Sequence, residues 1–147
     1  MEVKRISASD TYPIRHKILR AGKPIESCYY HGDKDELTFH LGAFVDKKLV
    51  SVASFYFENH QQFQEKHPNQ FRLRGMATLA EYQGMGLSSQ LLKTALPLIK
   101  QNLCTLLWCN ARATAEGFYK KVGFEAHGEI FDIPEIGPHR LMTINLN

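Results

Sequence analysis

The sequence is short of several features, and each shortage closes a class of function. It has no long apolar run, and its first residues, MEVKRISASD, lack an apolar signal core. Neither a membrane span nor a secretory leader is therefore expected, and a cytoplasmic protein is. No block of five or more Lys/Arg occurs; basic residues come as Lys4-Arg5, Lys47-Lys48, Arg72 with Arg74, and Lys120-Lys121. With a formal net charge of +3, the basic excess suits an anionic small ligand and is too weak for a nucleic-acid binder. The three cysteines, Cys28, Cys104 and Cys109, have no metal-ligand spacing and read as reduced thiols. The seven histidines include no His-x-x-x-His pair, so no metal is expected.

What is present is an ordinary globular composition. Hydrophobic residues make up 44% of the 147 positions and charged residues 22%, which predicts one compact domain over residues 1–147 that buries a full core. Val3 to Ile6 reads as a short strand. Ser9 or Asp10 is placed to cap a helix with Ile14, Ile18 and Leu19 on its apolar face, ending near Gly22. Arg15, His16 and Arg20 on that helix read best as a solvated face, with contact to an anionic ligand as the alternative.

Residues 31–36 form a polar loop. Leu37 to Val45 and Leu49 to Phe57 read as a hairpin about Asp46-Lys47-Lys48, the second strand apolar on both faces. Residues 59–69 read as a loop or short helix, and Phe71 to Thr78 alternates as a strand. A helix with Leu87, Leu91, Leu92 and Ala95 at helical spacing follows, with Pro97 expected to kink or tighten its last turn. Leu103 to Cys109 reads as a buried strand, 113–122 as a helix ended by Gly123, and Arg140 to Leu146 as a final strand.

The most informative stretch is the turn Gln83-Gly84-Met85-Gly86-Leu87-Ser88. Two glycines let the backbone approach a ligand closely, and the next helix points its unpaired N–H groups and positive dipole end into the turn. That combination suits a pyrophosphate. A dinucleotide fingerprint requires an acid about 20 positions on, yet 103–109 (LCTLLWC) carries none. A phosphate-binding loop requires Gly-Lys-Ser/Thr, which is absent.

The segment MATLAEYQGMGLSSQLL resembles the coenzyme-binding motif of the GNAT superfamily of acetyltransferases, Gln/Arg-x-x-Gly-x-Gly/Ala, matched by Gln83 and Gly86 with Ser88 in the final small position. Thirty residues on, AEGFYKKVGF (115–124) resembles the superfamily's A-x-x-FY-x-x-x-GF signature. The tail FDIPEIGPHRLM and the stretch PIRHKILRAGKP are similar to a bacterial subgroup of that superfamily.

The resemblance implies an α/β (α+β) fold with a mixed, mostly antiparallel central sheet and helices on both faces. It implies acetyl-CoA as co-substrate and a small-molecule or peptide amine as acceptor, with direct transfer and no acyl-enzyme. By the same resemblance the acyl-pantetheine lies where the fourth strand splays from the fifth. The backbone of Met76, Ala77 and Thr78 would pair with its amides, and the amides of Gln83, Gly84, Met85, Gly86, Leu87 and Ser88 would hold the pyrophosphate. Tyr119 takes the position of the general acid. Where some relatives carry a carboxylate base on the fourth strand, Arg72 and Arg74 stand here, leaving Glu58 or His139 as base. Asn110 and Arg112 are expected just past the fifth strand, with Arg112 placed to meet a phosphate or an acidic substrate group. Dimers are common among similar proteins. The alternative is a domain that binds acyl-CoA without turnover.

Overall fold

The computed structural model describes residues Met1–Asn147. The elements are β1 (Glu2–Ile6), α1 (Ala8–Ile14) continued by one π-helical stretch (Arg15–Leu19), β2 (Phe39–Val45), β3 (Lys48–Phe57), β4 (Gln70–Thr78), α2 (Leu87–Gln101), β5 (Leu106–Arg112), α3 (Glu116–Lys121), β6 (Glu125–Ile133) and β7 (Gly137–Asn145). The seven strands are hydrogen-bonded in the order β1-β2-β3-β4-β5-β7-β6. The sheet is mostly antiparallel, with β4 and β5 parallel over Gln70–Arg72 and Leu106–Trp108. This is the mixed α/β class with the antiparallel sheet expected. No helix is long and apolar enough to cross a membrane.

The chain divides into two compact units, Met1–Phe57 with Leu73–Leu98, and Glu58–Arg72 with Ile99–Asn147. In the first, Ser7 rather than Ser9 or Asp10 is the N-cap of α1. Its hydroxyl accepts from the Asp10 amide, and the Asp10 carboxylate accepts from the Ser7 amide in return. The cap sits earlier than expected because Asp10 serves as the reciprocal partner three residues into the helix.

The β2–β3 hairpin turns at Asp46 and Lys47, both at positive φ (50° and 67°), the geometry that matches the twist of the strands it joins. Val50 to Tyr56 of β3 are all buried, as its two-faced apolar pattern predicts. Helix α2 runs through Pro97 to Gln101, with the proline in its last turns. Both Pro97 and Lys93, whose carbonyl loses its helical partner, are exposed, so water can take that carbonyl.

In the second unit, β5 begins three residues later than Leu103. Leu103 lies at φ 60° and is 81% exposed. Its amide donates to the Lys100 carbonyl, so Leu103 closes α2 rather than opening a strand. Strand β6 is an addition: the tail was expected to hold one strand and holds a hairpin. Ion pairs and apolar packing around α3 draw on β5, β6 and β7, and Gly123 at φ 107° ends α3 as expected.

Candidate active site

The turn that follows β4 lies in the first unit. Ala80–Tyr82 make one 3-10 turn, Gln83 is extended, and Gly84 and Gly86 take φ of 80° and 78°. That left-handed backbone favours glycine. A Cβ added at either position would meet nothing within 4 Å. The backbone sign, not crowding, is what demands glycine, and the space beside the turn is open to a ligand. Leu87, 4% exposed, anchors the first turn of α2. The Gln90 amide already donates to the Gly86 carbonyl, which leaves the amides before it at the helix start.

Two side-chain ties hold the turn to the end of β4. Gln83 Nε2 donates to the Thr78 carbonyl at 3.0 Å. The hydroxyls of Ser51, Thr78 and Ser88 form a chain, with steps of 2.7 and 3.1 Å. Gln83 thus shapes the turn from below. Met85, 57% exposed, projects from its top. Ala77 and Thr78 are buried and Met76 half-buried. The open glycine geometry fits a phosphate group; no set of three or more His, Cys, Asp or Glu side chains is gathered to hold a metal ion.

The second unit holds Tyr119. Ala113–Ala115 lead into α3, and the Phe124 amide bonds the Tyr119 carbonyl at 2.9 Å, so the chain folds back across the tyrosine. The Tyr119 ring meets Phe118 and Phe124 edge-on, each at 5.2 Å. Burial, with the Cys109 thiol beside it, pushes the phenol well above its ordinary range. Burial likewise raises the Cys109 thiol, which rules out a standing thiolate there. At the start of α3, Glu116 forms ion pairs with Lys120 at 2.8 Å and with Arg140 at 3.3 Å.

Asn110 and Arg112 lie within β5 rather than past it, opposite Leu141 and His139 of β7. Directly opposed residues share a face of the sheet. Asn110, Arg112 and His139 are therefore on one face, and Cys109, with Tyr119 against it, on the other. His139 is buried, and its Nδ1 lies 2.7 Å from the Gly137 carbonyl. A carbonyl only accepts, so Nδ1 carries the hydrogen and Nε2 the lone pair of the neutral ring. Glu58 instead pairs with Arg72 at 3.0 Å, and its carbonyl accepts from Trp108 Nε1 at 2.9 Å. The Arg72 guanidinium lies 4.6 Å from the Trp108 ring. Glu58 is thus a half-exposed, ion-paired carboxylate. The two base candidates differ in kind, and His139 and the acid candidate occupy opposite faces of the β5–β7 pair.

One network was not foreseen. Arg15, expected on a solvated helix face, is fully buried. Nη1 donates to the Cys28 carbonyl and to Asp33 Oδ2, both at 2.8 Å. Nη2 donates to Asp33 Oδ1 at 3.0 Å, Ser54 Oγ at 2.8 Å and the Tyr56 hydroxyl at 3.1 Å. Burial works to raise the Asp33 carboxyl, but bonds from Arg15 and Tyr56 outweigh it and hold it below the ordinary carboxylate range. His40 closes the network through Ser54 Oγ at 2.6 Å and the Asp33 carbonyl at 2.8 Å. Burial lowers its imidazole. The available signal was small: Ser54 and Tyr56 put polar atoms on one face of an otherwise apolar strand.

The comparisons with known proteins agree with this geometry. The family model described as Acetyltransferase (GNAT) family matches residues 6–124. The chain is 45% identical over 142 residues to the uncharacterised N-acetyltransferase YitI of Bacillus subtilis, covering 97% of this chain and 94% of that one. In fold it is similar to an acyl-CoA N-acyltransferase of Pseudomonas aeruginosa, at a TM-score of 0.68 and 21% identity over 97% of this chain and 98% of the other. It is also similar to a chain of the NatC complex solved with Gag peptide and CoA, at a TM-score of 0.73 and 14% identity over the full length of both. Glycines forced to positive φ ahead of α2, a shielded tyrosine on α3 and a family match spanning both features lead to one conclusion: the chain belongs to the GNAT family of acetyltransferases.

Proposed function

We propose that this enzyme transfers the acetyl group of acetyl-CoA to a primary amine of a small molecule or peptide, by direct attack. The observation that carries this reading is the pair Gly84 and Gly86, both left-handed, both open beside the backbone, directly before α2. Their amides and those of Met85 and Leu87 suit the pyrophosphate, and Ser88 adds a hydroxyl. Met76, Ala77 and Thr78 offer strand backbone for the pantetheine amides.

Attack on a thioester expels a thiolate. Tyr119, a neutral phenol held among Phe118 and Phe124, is the group assigned to protonate it. His139 is the better base: its tautomer leaves Nε2 as acceptor, whereas Glu58 is engaged by Arg72. Since Tyr119 and His139 occupy opposite faces, the proton removed from the amine and the proton given to the thiolate are different protons. Asn110 and Arg112, on the His139 face, are assigned to contacts with coenzyme or acceptor.

Release of free coenzyme A thiol against a panel of amines tests the reading. Turnover with at least one primary amine is expected. Tight coenzyme binding with no turnover across the panel would replace it with a non-catalytic acyl-CoA-binding module.

A further inference from the structure

The Gln83–Ser88 turn, assigned above to the pyrophosphate, has no cation of its own. From Ala77 to Leu92 the chain carries no Lys or Arg. The single charged residue in that stretch, Glu81, is exposed and of the wrong sign for a phosphate. Gln83 adds no charge, and its amide nitrogen already donates to the Thr78 carbonyl. Backbone amides and a helix dipole hold an anion by partial charges only. A full positive charge beside them has to come from another stretch of chain.

The β2–β3 hairpin, in the same unit, brings one. Strand β3 lies next to β4 in the sheet, and its start is tied to the end of β4. The Leu79 amide donates to the Val50 carbonyl at 2.9 Å, and the hydroxyls of Ser51 and Thr78 bond at 2.7 Å. Just before Val50 in the chain, Lys48 places its Nζ 5.7 Å from the centroid of the Tyr82 ring. Tyr82 is the residue immediately ahead of Gln83. Lys48 follows the Asp46–Lys47 turn and pairs with Val45 across it, so the hairpin fixes its backbone.

The Lys48 ammonium is oriented without being neutralised. Its side chain meets the Tyr82 ring and no carboxylate, whereas Lys4 and Lys120 are paired with Glu2 and Glu116. Lys48 is exposed and Tyr82 half-buried. A ring face attracts an ammonium through its quadrupole and leaves the N–H donors able to turn toward an oxygen. A carboxylate partner would have cancelled the charge; an aromatic partner keeps it.

Resting on the acetyl-CoA reading above, we propose that Lys48 is a coenzyme-binding residue whose ammonium, steadied by Tyr82, pairs with the pyrophosphate at the Gly84–Gly86 turn. The phosphate site is then assembled from two segments, with backbone from the turn and charge from the hairpin. Tyr82 is a positioning residue that acts through Lys48.

Calorimetry of coenzyme A on the wild-type protein and on Lys48→Met tests this without turnover. The side chain is exposed, so the variant should stay folded, which thermal melts check. Affinity should fall about 5- to 20-fold, the loss of a charge-assisted bond discounted for its exposure to solvent. Lys48→Arg should recover most of that loss. Binding to Lys48→Met should also depend less steeply on salt than binding to wild type. Dephospho-coenzyme A, which keeps the pyrophosphate and lacks the 3′-phosphate, should show the same loss. Lys47→Met removes an equal charge one residue away and should change affinity less than about 2-fold.

A double-mutant cycle reads the role of Tyr82. Tyr82→Leu should weaken binding about 2- to 5-fold when Lys48 is present and add little in Lys48→Met. Additive losses would overturn the positioning role. Wild-type affinity in Lys48→Met, or an equal loss in Lys47→Met, overturns the Lys48 contact and leaves the acetyl-CoA reading standing. A loss seen with coenzyme A and absent with dephospho-coenzyme A puts the ammonium on the 3′-phosphate and also overturns it. Wild-type protein that binds no coenzyme A removes the acetyl-CoA reading, and this assignment with it.

Discussion

The Gln83–Ser88 turn and the Arg15 network belong to the same unit, yet they are built on opposite principles. The turn is made of backbone. Gly84 and Gly86 are exposed, their φ values select glycine, and their residue type alone signals the geometry. The network is made of side chains. Arg15, Asp33, Ser54 and Tyr56 come from three separate stretches of chain, and none announces its partner. One is open beside its backbone; the other is closed from solvent.

The largest effect that separates them is Arg15→Met. Removing one partner of a buried ion pair costs about 3–5 kcal/mol, because the remaining charge is stranded. That is a large part of the stability of a chain this size. Denaturant titration should show the variant largely unfolded or sharply weakened. A variant as stable as wild type would mean that the network is not a structural lock.

Gly86→Val attacks the other pole. A β-branched residue at φ 78° should cost about 1–2 kcal/mol of backbone strain, so the protein should remain folded. Binding of the coenzyme should nevertheless fall beyond detection, as followed by calorimetry or quenching of intrinsic fluorescence. A folded Val variant with wild-type affinity would remove the turn as the pyrophosphate site.

The same contrast explains how much of the molecule was legible in the sequence. The turn, the Gly123 helix end and the β2–β3 hairpin rest on local backbone rules, and each was located to within a residue or two. Features that depend on distant partners were not. Leu103 looked like the start of an apolar strand, but the helix before it needed a left-handed end. Strand β6 is half-buried or exposed throughout and is broken by Gly128 at φ 71° and a register shift between His127 and Phe131, so it carries no clean alternation. Arg15 looked solvated because its counter-charge lies 18 positions on, in a polar loop. For the candidate site, the glycine turn was legible and the cluster of Arg20, Tyr30 and Arg74 was not, since its members meet only in the folded chain.

Tyr119→Phe gives the next effect in size, and it lies outside both poles. The ring packing with Phe118 and Phe124 is retained, so stability and coenzyme affinity should change little. Turnover should fall about 10²-fold or more, the contribution expected of a general acid. Unchanged turnover would remove Tyr119 from that role.

Acid should then weaken the network and spare the turn. The Asp33 carboxyl is held below its ordinary value in the folded chain, so the folded state binds that proton less readily than the unfolded state. Its stabilising contribution is present above the unfolded carboxylate range, near pH 4, and disappears as pH falls through the lower folded value. Asp33→Asn should remove this pH-dependent part. If thermal melts of wild type and Asp33→Asn lose stability in parallel between pH 5 and 3, other carboxylates govern acid unfolding.

The smallest effect belongs to the join between backbone and side chain. Ser88 stands in the turn, but its hydroxyl also closes the chain from Ser51 through Thr78. Ser88→Ala leaves the helix start and both glycines intact and deletes one neutral hydrogen bond, worth about 0.5–1.5 kcal/mol. If the hydroxyl serves only the strand-to-turn tie, melting temperature should drop slightly with coenzyme affinity unchanged. If it also donates to the phosphate, affinity should fall about 3- to 10-fold as well. Ser88→Gly, which matches the commoner motif residue, separates the two: it should weaken the helix start further while giving the alanine variant's affinity. A glycine variant that binds as tightly as wild type would show that the turn gives the anion site backbone alone, the limiting form of the contrast between turn and network.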